Sequence, residues 1–242
     1  MARKVIVSGA SSGIGRAICE KLLEDGHQVV GLARDFGKFQ CTEPHFFAHP
    51  LDLSDLEALP GHLRNLVATH PGIDALICAA GQGHFGDLEQ FSYAQIRAAL
   101  DLNFTSHAFV VRAMLPALKK TGCGDVIFIG SEAALRGTQK GSLYCASKFA
   151  LRGFAQALRE ENARAGVRIS IVNPGMVRTP FFEELDFAPG DDPANHILPA
   201  DVAVAVAMIL DARAGTVFDE INLSPQKRVI EFNKEKGKGT HG

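Results

Sequence analysis

Two tyrosines occur in the 242 residues of this chain, and one of them, Tyr144, stands four residues before a lysine in the stretch S-L-Y-C-A-S-K. The surrounding pattern predicts a helix from about 142 to 165, on which Tyr144 and Lys148 share one face about one turn apart. A phenol beside an ammonium is proton-transfer chemistry. A free tyrosine ionises near ~10, and bringing it to neutrality takes roughly 4 kcal/mol. A buried cation about 4 to 6 Å away, joined by a positively charged cofactor ring, supplies an effect of that order. Reducing a carbonyl needs a hydride donor, a proton donor and a group that polarises the oxygen. Ser131, thirteen residues before Tyr144, follows an apolar run, at whose carboxyl end a hydroxyl could do the polarising; Asn103 stands 28 residues before that serine. Asparagine has poor propensity in a helix interior, so Asn103 points to a local purpose.

These residues need a frame, and the apolar pattern predicts one. Short runs recur at 4–8, 28–33, 73–79, 125–130, 167–173 and 216–223, with a weaker one in H-F-F-A-H at 45–49. Longer stretches of helical period lie between them, which is the signature of alternating β and α units and a parallel sheet covered on both faces. Ligands of such sheets bind beyond the carboxyl ends of the strands. After the first run comes S-G-A-S-S-G-I-G, where Gly9, Gly13 and Gly15 lead into a helix. Glycines let a backbone turn tightly and approach a pyrophosphate, while a helix N-terminus offers free N–H groups and the positive end of its dipole.

The spacing G-x-x-x-G-x-G, followed in order by Asn103, Ser131, Tyr144 and Lys148, resembles the short-chain dehydrogenase/reductase family over about residues 3–223. Ser8 stands where the family's first motif has threonine. The resemblance implies an α/β fold, a Rossmann-type doubly wound parallel seven-stranded sheet flanked by helices on both faces. It implies cofactor contacts from Gly9, Ser11, Gly13, Ile14 and Gly15, from Asp52 to the adenine amino group, and from the backbone of Leu53. It further implies that Ala80 and Gly81 pass close to the cofactor ribose, and that Pro174, Gly175, Val177 and Thr179 hold the nicotinamide end. In the chemistry, Tyr144 is the acid/base, Ser131 orients the substrate oxygen, Lys148 binds ribose and tunes Tyr144, and Asn103 holds a water in a relay to Lys148. The chain departs from the family at C-A-A-G, residues 78–81, where both asparagines of N-N-A-G are missing.

At the end of the second strand a free ribose 2′-hydroxyl calls for a carboxylate and a 2′-phosphate for a cation. By family alignment Ala33 takes the acidic position and Arg34 follows it, with a planar fork of donors suited to a phosphate. The cofactor expected is therefore NADP(H), with NAD second; Ser12 leaves Arg34 as the one anchor. Asp52 also suits the cap of a helix beginning near Ser54.

A net charge of -2 without a basic block before the C-terminus argues against nucleic acid, and the short apolar N-terminal run is too brief for a signal segment or a membrane span. Five cysteines without C-x-x-C spacing read as reduced thiols and a cytoplasmic setting, and nine histidines without an H-E-x-x-H pattern predict no metal site. One domain is expected over 1–231, including a substrate loop at 181–197, with a flexible tail at 232–242. His84 and Phe85 are candidates for the substrate mouth, and Arg136 for a substrate carboxylate. The function expected is NADP-dependent interconversion of a small to medium carbonyl and its alcohol. The rivals are a non-catalytic NADP(H)-binding protein on the same fold and an epimerase or dehydratase of the extended branch. Small residues at Ala146, Ala150 and Gly153 would admit a neighbouring helix, and a homodimer or homotetramer is the expected assembly.

Overall fold

The computed structural model describes residues 2–37 and 39–232. Its strands are β1 (Lys4–Ser8), β2 (Gln28–Ala33), β3 (Phe46–Pro50), β4 (Ala75–Cys78), β5 (Asp125–Ile129), β6 (Arg168–Pro174), β7 (Phe187–Pro189), β8 (Glu220–Leu223) and β9 (Ile230–Phe232). The helices are α1 (Gly13–Glu24), α2 (Leu59–Thr69), α3 (Tyr93–Leu100), α4 (Ser106–Thr121), α5 (Ser142–Asn162) and α6 (Pro199–Asp211). Seven strands form one sheet in the order β3-β2-β1-β4-β5-β6-β8, every neighbouring pair parallel. β1 lies inside it, with Ile6 opposite Val30 on β2 and Leu76 on β4. The strand order reverses beside β1, which opens a crevice beyond the carboxyl ends of β1 and β4.

The near-continuous apolar runs exist because both faces of the sheet are buried, with alternate side chains entering different cores. Val5, Val7 and Ile127 pack with Ile18 and Leu22 of α1 and Val202, Val206 and Ile209 of α6. Ile6, Val126 and Phe128 face the other way, onto Leu63 and Leu66 of α2, Val110 and Met114 of α4, and Leu151 and Leu158 of α5. No helix among the described residues is long and apolar enough to cross a membrane.

The expected seven strands all appear, and four boundaries move. α5 ends at Asn162, and residues 163–165 tighten into a 3-10 turn before Gly166 at φ 73°. α2 begins at Leu59, with Pro60 in its first turn, so the segment after Asp52 is a run of turns where the sequence reading placed a helix. β8 begins at Glu220, four residues later than its apolar run suggests. Phe232, assigned to the tail, belongs to β9, which pairs antiparallel with β7 through Phe187 and Phe232. Residues 233–242 of that expected tail lie outside the described residues.

Candidate active site

β1 delivers the chain to Gly9 at φ +69°, and the loop re-enters helix through Gly13 at φ +51°, a region where any other residue would be strained. A Cβ on Gly15 would collide with the Gly9 carbonyl oxygen, and one on Gly9 would lie 3.0 Å from the Ala80 backbone. Ser12, at the N-cap of α1, makes no side-chain capping bond, which leaves the first-turn N–H groups to an outside acceptor. Ser11 and Ile14 flank this cradle half-buried, with Ile14 packed on the α1 and α6 core. Buried Ser8 uses its hydroxyl to accept from the N–H groups of Ala79 (3.0 Å) and Ala80 (3.2 Å), tying β1 to the loop after β4. The cradle is shaped for a pyrophosphate, so a dinucleotide fits here.

The far end of such a ligand would reach the ends of β2 and β3. There a cleft of about 330 Å³ is lined by Arg34, Pro50, Leu51, Asp52, Asp55 and His62. Arg34 is exposed, and no hydrogen bond or ion pair among the described residues joins it to Asp35; Asp35 instead accepts from the Gly37 N–H at 2.8 Å. Asp52 accepts from the Ser54 hydroxyl (2.7 Å) and N–H (2.9 Å), closing a turn, so the helix-capping role does not hold. These bonds and the Arg34 charge hold its carboxyl below the ordinary range. Leu53 sends its side chain into the core. His62, which sequence spacing did not single out, comes from the first turn of α2 to the same cleft.

At the chemical end, α5 places Tyr144 and Lys148 on its buried face, as the i, i+4 spacing requires. Ser131 lies two residues past the end of β5 and caps a 3-10 turn, its hydroxyl accepting from Ala133 N–H at 3.1 Å and hydrogen-bonding to Tyr144. Lys148 donates from Nζ to the Ile129 carbonyl at 3.0 Å and lies 5.7 Å from the centre of the Tyr144 ring. Burial lowers Lys148 to about 8 and raises Tyr144 to about 12, the Ser131 hydrogen bond pulling the phenol part of the way back. The expected depression of Tyr144 is thus reversed in the protein alone: desolvation outweighs the hydrogen bond, and the ammonium is engaged with a backbone carbonyl.

Asn103 interrupts its helix as expected. Residues Asp101–Thr105 form a single π turn between α3 and α4, a distortion found where a helix carries a local task. The Asn103 amide donates to Gln82 O (2.9 Å) and Ser147 Oγ (3.2 Å), and its oxygen accepts from Gln82 N–H (2.9 Å). Its direct bonds therefore go to Gln82 and Ser147. A Cβ at Gly81 would sit 3.2 Å from Asn103 Oδ1 and 3.8 Å from Lys148 Nζ, so that glycine keeps the space between them open.

One buried group escaped the sequence reading. His107, on α4, holds the Ala80 carbonyl from Nε2 at 2.9 Å, is fully buried, and has no partner for Nδ1. Burial and the Lys148 charge drive it down to about 4, so the ring is neutral and donates to Ala80. The signal was available in its position four residues after Asn103 on the same helix. With Ser8 and Asn103, it braces the C-A-A-G turn that has lost its own asparagines.

The segment after β6 closes the site. Pro174 pairs with Leu223 in the sheet, and Gly175 N–H donates to the Leu223 carbonyl at 2.8 Å. Val177 is buried and bridged to Ile197, and Thr179 lies so near the cradle that a Cβ on Gly13 would be 3.4 Å from its Cγ2. Phe85 leans on Tyr144 with ring centres 5.1 Å apart and planes tilted by 44°, while His84 beside it is half-buried, its basicity lowered by that burial. Arg136 is exposed and faces Glu132 at 3.8 Å. Cys145 is buried against Thr138 and the Arg136 carbonyl and shares a small cluster with Ala133 and Tyr144.

Comparison with known proteins agrees with this geometry. The profile described as short chain dehydrogenase matches residues 3–188. The chain is 34% identical over 206 residues to human retinol dehydrogenase 8, a match covering 79% of this chain and 66% of that protein. An alcohol dehydrogenase from the archaeon Thermococcus sibiricus, solved with 5-hydroxy-NADP, superposes with a TM-score of 0.84 at 26% identity, covering 95% of this chain and 99% of the other. A metagenomic short-chain oxidoreductase in complex with NADP superposes with a TM-score of 0.79 at 30% identity, covering 93% and 98%.

Proposed function

The chain belongs to the short-chain dehydrogenase family, and from that premise we propose that it interconverts a carbonyl compound and its alcohol with NADP(H). The observation that carries the reading is the joint placement of Ser131, Tyr144 and Lys148 beyond the carboxyl end of β5, facing the glycine cradle across the Ala80–Gly81 turn. When bound, the nicotinamide supplies or accepts the hydride.

The protein's own residues handle the proton. Raised to about 12, Tyr144 is a neutral phenol at physiological pH and holds the proton that a nascent alkoxide needs. Its interaction with Ser131 keeps the two hydroxyls side by side, so that a carbonyl oxygen reaching both would be polarised by one and protonated by the other. In the direction of alcohol oxidation the phenolate must form, and Lys148, 5.7 Å from the ring centre, is the cation that favours it. Asn103 holds Gln82 and so the far wall of the turn. Arg34, exposed and without an ion pair among the described residues, is free to grip a 2′-phosphate, and His62 lines the same cleft. NADP-bound relatives of the same fold support this preference.

Tyr144→Phe tests the assignment: turnover should vanish while NADPH binding stays near wild type, and unchanged turnover overturns it. Comparing NADPH with NADH tests Arg34 separately; equal kcat/KM for the two, unchanged in Arg34→Ala, removes that residue from the cofactor site.

A further inference from the structure

The substrate's carbonyl oxygen must reach the hydroxyls of Tyr144 and Ser131, so the rest of the substrate lies against whatever surrounds Tyr144. What surrounds it is aromatic. Phe85 and Phe181 approach its ring at 5.1 and 5.8 Å, and with Ala133 and Cys145 they form a small apolar cluster apart from the two main cores. From Phe85 the rings continue outward to Phe187 at 5.0 Å and then to Phe232 at 6.5 Å. Phe232 is 70% exposed, so the row runs from the buried phenol to the surface. Two sequence features hold it there. Gly83 gives the rings of Phe85 and Phe181 room against the backbone, where any Cβ would collide with them. The β7–β9 pair sets Phe187 opposite Phe232 in register.

Charge points the same way. The arginines that reach the turn after Ser131, Arg136 and Arg228, both face Glu132, at 3.8 and 3.7 Å. Arg178, before the loop that carries Phe181, pairs with Asp191. A carboxylate or phosphate on the substrate would compete with these acids for its partner. Hydroxyls of a sugar-like substrate would lose water against ring faces without gaining donors or acceptors. Flat apolar groups, by contrast, meet ring faces and edges in geometries that aromatic pairs favour.

Building on the oxidoreductase reading above, we infer that the site takes elongated, flat, apolar carbonyl compounds and their alcohols, and that Phe85, Phe181 and Phe187 set this preference. The substrate spans more than one ring outward from Tyr144, along the row that ends at Phe232.

The test uses the full chain with NADPH and four aldehydes, benzaldehyde, 2-naphthaldehyde, glyceraldehyde and glyoxylate, with kcat/KM expressed per unhydrated aldehyde. Expected is a kcat/KM for 2-naphthaldehyde at least tenfold above that for benzaldehyde and at least a hundredfold above those for glyceraldehyde and glyoxylate. In Phe187→Ala the ratio of 2-naphthaldehyde to benzaldehyde should fall at least fivefold, and Phe187→Leu, which keeps apolar bulk without the ring, should fall between. Equal or better use of glyceraldehyde or glyoxylate overturns the inference, as does a naphthaldehyde ratio untouched by either variant in folded protein. Calorimetric binding of 2-naphthalenemethanol and glycerol, with NADP present, separates the two layers of argument. No turnover of any aldehyde, with selective binding of the aromatic alcohol, ends the oxidoreductase reading and leaves the ligand class standing; no selective binding ends the ligand class.

Discussion

The two edges of the one sheet handle charge in opposite ways. At the amino-terminal edge, Asp125 is 1% exposed and is gripped by Arg168 in a two-pronged contact at 2.8 Å per prong and by Arg3 at 2.6 Å. Arg3 also holds Asp74 at 3.0 Å, and Arg168 spends its remaining donor on carbonyls beyond α6, including Ala212 at 2.9 Å. Four strands and a helix end are thereby joined by charges that are fully partnered. At the carboxyl edge, Lys148 is equally buried yet has a single neutral carbonyl for a partner, Tyr144 has the Ser131 hydroxyl, and His107 leaves a ring nitrogen unmatched. A buried charge with full partners is locked in one state. Groups held between states are the ones that can pass a proton, so poorer satisfaction at this edge fits the chemistry proposed for it.

The sharpest way to break this comparison is to exchange the consequences. Tyr144→Phe should lower kcat by about 10²–10⁴, the contribution typical of a positioned acid/base, while denaturant unfolding stays close to wild type. Asp125→Asn should do the reverse. It leaves the largely buried Arg168 without a carboxylate and Arg3 with Asp74 alone, and should cost roughly 3–5 kcal/mol of stability, read as a lowered urea midpoint, with kcat intact in the folded fraction. If Asp125→Asn instead lowers kcat at unchanged stability, the division between the edges is wrong.

Lys148 sharpens the same contrast through pH. Its folded value, about 8, lies below the ordinary 10.5, so the folded chain gives up this proton before the unfolded chain does. The sign follows from linkage: between about 8 and 10.5 the unfolded state binds more protons, and stability from this group rises with pH across that window. Lys148→Met removes the burden of a buried cation. Urea unfolding at pH 7.5 should find the variant at least as stable as wild type, with the wild type gaining on it by pH 10, while turnover is lost at both. A stability difference that is flat from pH 7.5 to 10 would mean that Lys148 carries no strained charge.

Much of this was legible in the residues, and what was not has a physical reason. The parallel sheet could be read because strands buried on both faces must be apolar throughout, as V-I-V of β1 and V-I-F-I of β5 are. Tyr144 and Lys148 could be read because helical spacing fixes their common face. Strand β9 could not: three exposed residues near the end of the chain gain their order from pairing with β7, a contact with no local signature. The late start of α2 was hidden for a similar reason, since Asp52 spends its carboxylate on a turn at Ser54 and Asp55 accepts from Ala58 N–H at 3.1 Å. The raised value of Tyr144 in the protein alone could not be read, because proximity to a cation is visible in spacing, whereas the extent of burial is a property of the packed molecule.

His107 is where missing sequence signals and the poorly satisfied edge meet, and it gives the smallest of the expected effects. The C-A-A-G turn lacks the amide side chains that would brace it from within, so its backbone is held from outside: Ala79 and Ala80 N–H by Ser8, the Ala80 carbonyl by His107, and both polar groups of Gln82 by Asn103. Removing one of these ties should loosen the turn without abolishing the fold. His107→Leu leaves the Ala80 carbonyl without its donor, a loss of about 1–3 kcal/mol. Because that turn borders the cofactor cradle at Gly9, part of the loss should appear as weaker NADPH binding, measured by calorimetry, with kcat at saturating NADPH less affected. His107→Gln keeps an N–H donor of similar reach and should recover most of both losses. If leucine and glutamine behave alike, the hydrogen bond to Ala80 is incidental and His107 acts only by filling space. If leucine lowers stability but leaves NADPH affinity untouched, the turn is held well enough by Ser8 and Asn103 alone, and the bracing is redundant at this edge in a way that the ion network at the opposite edge is not.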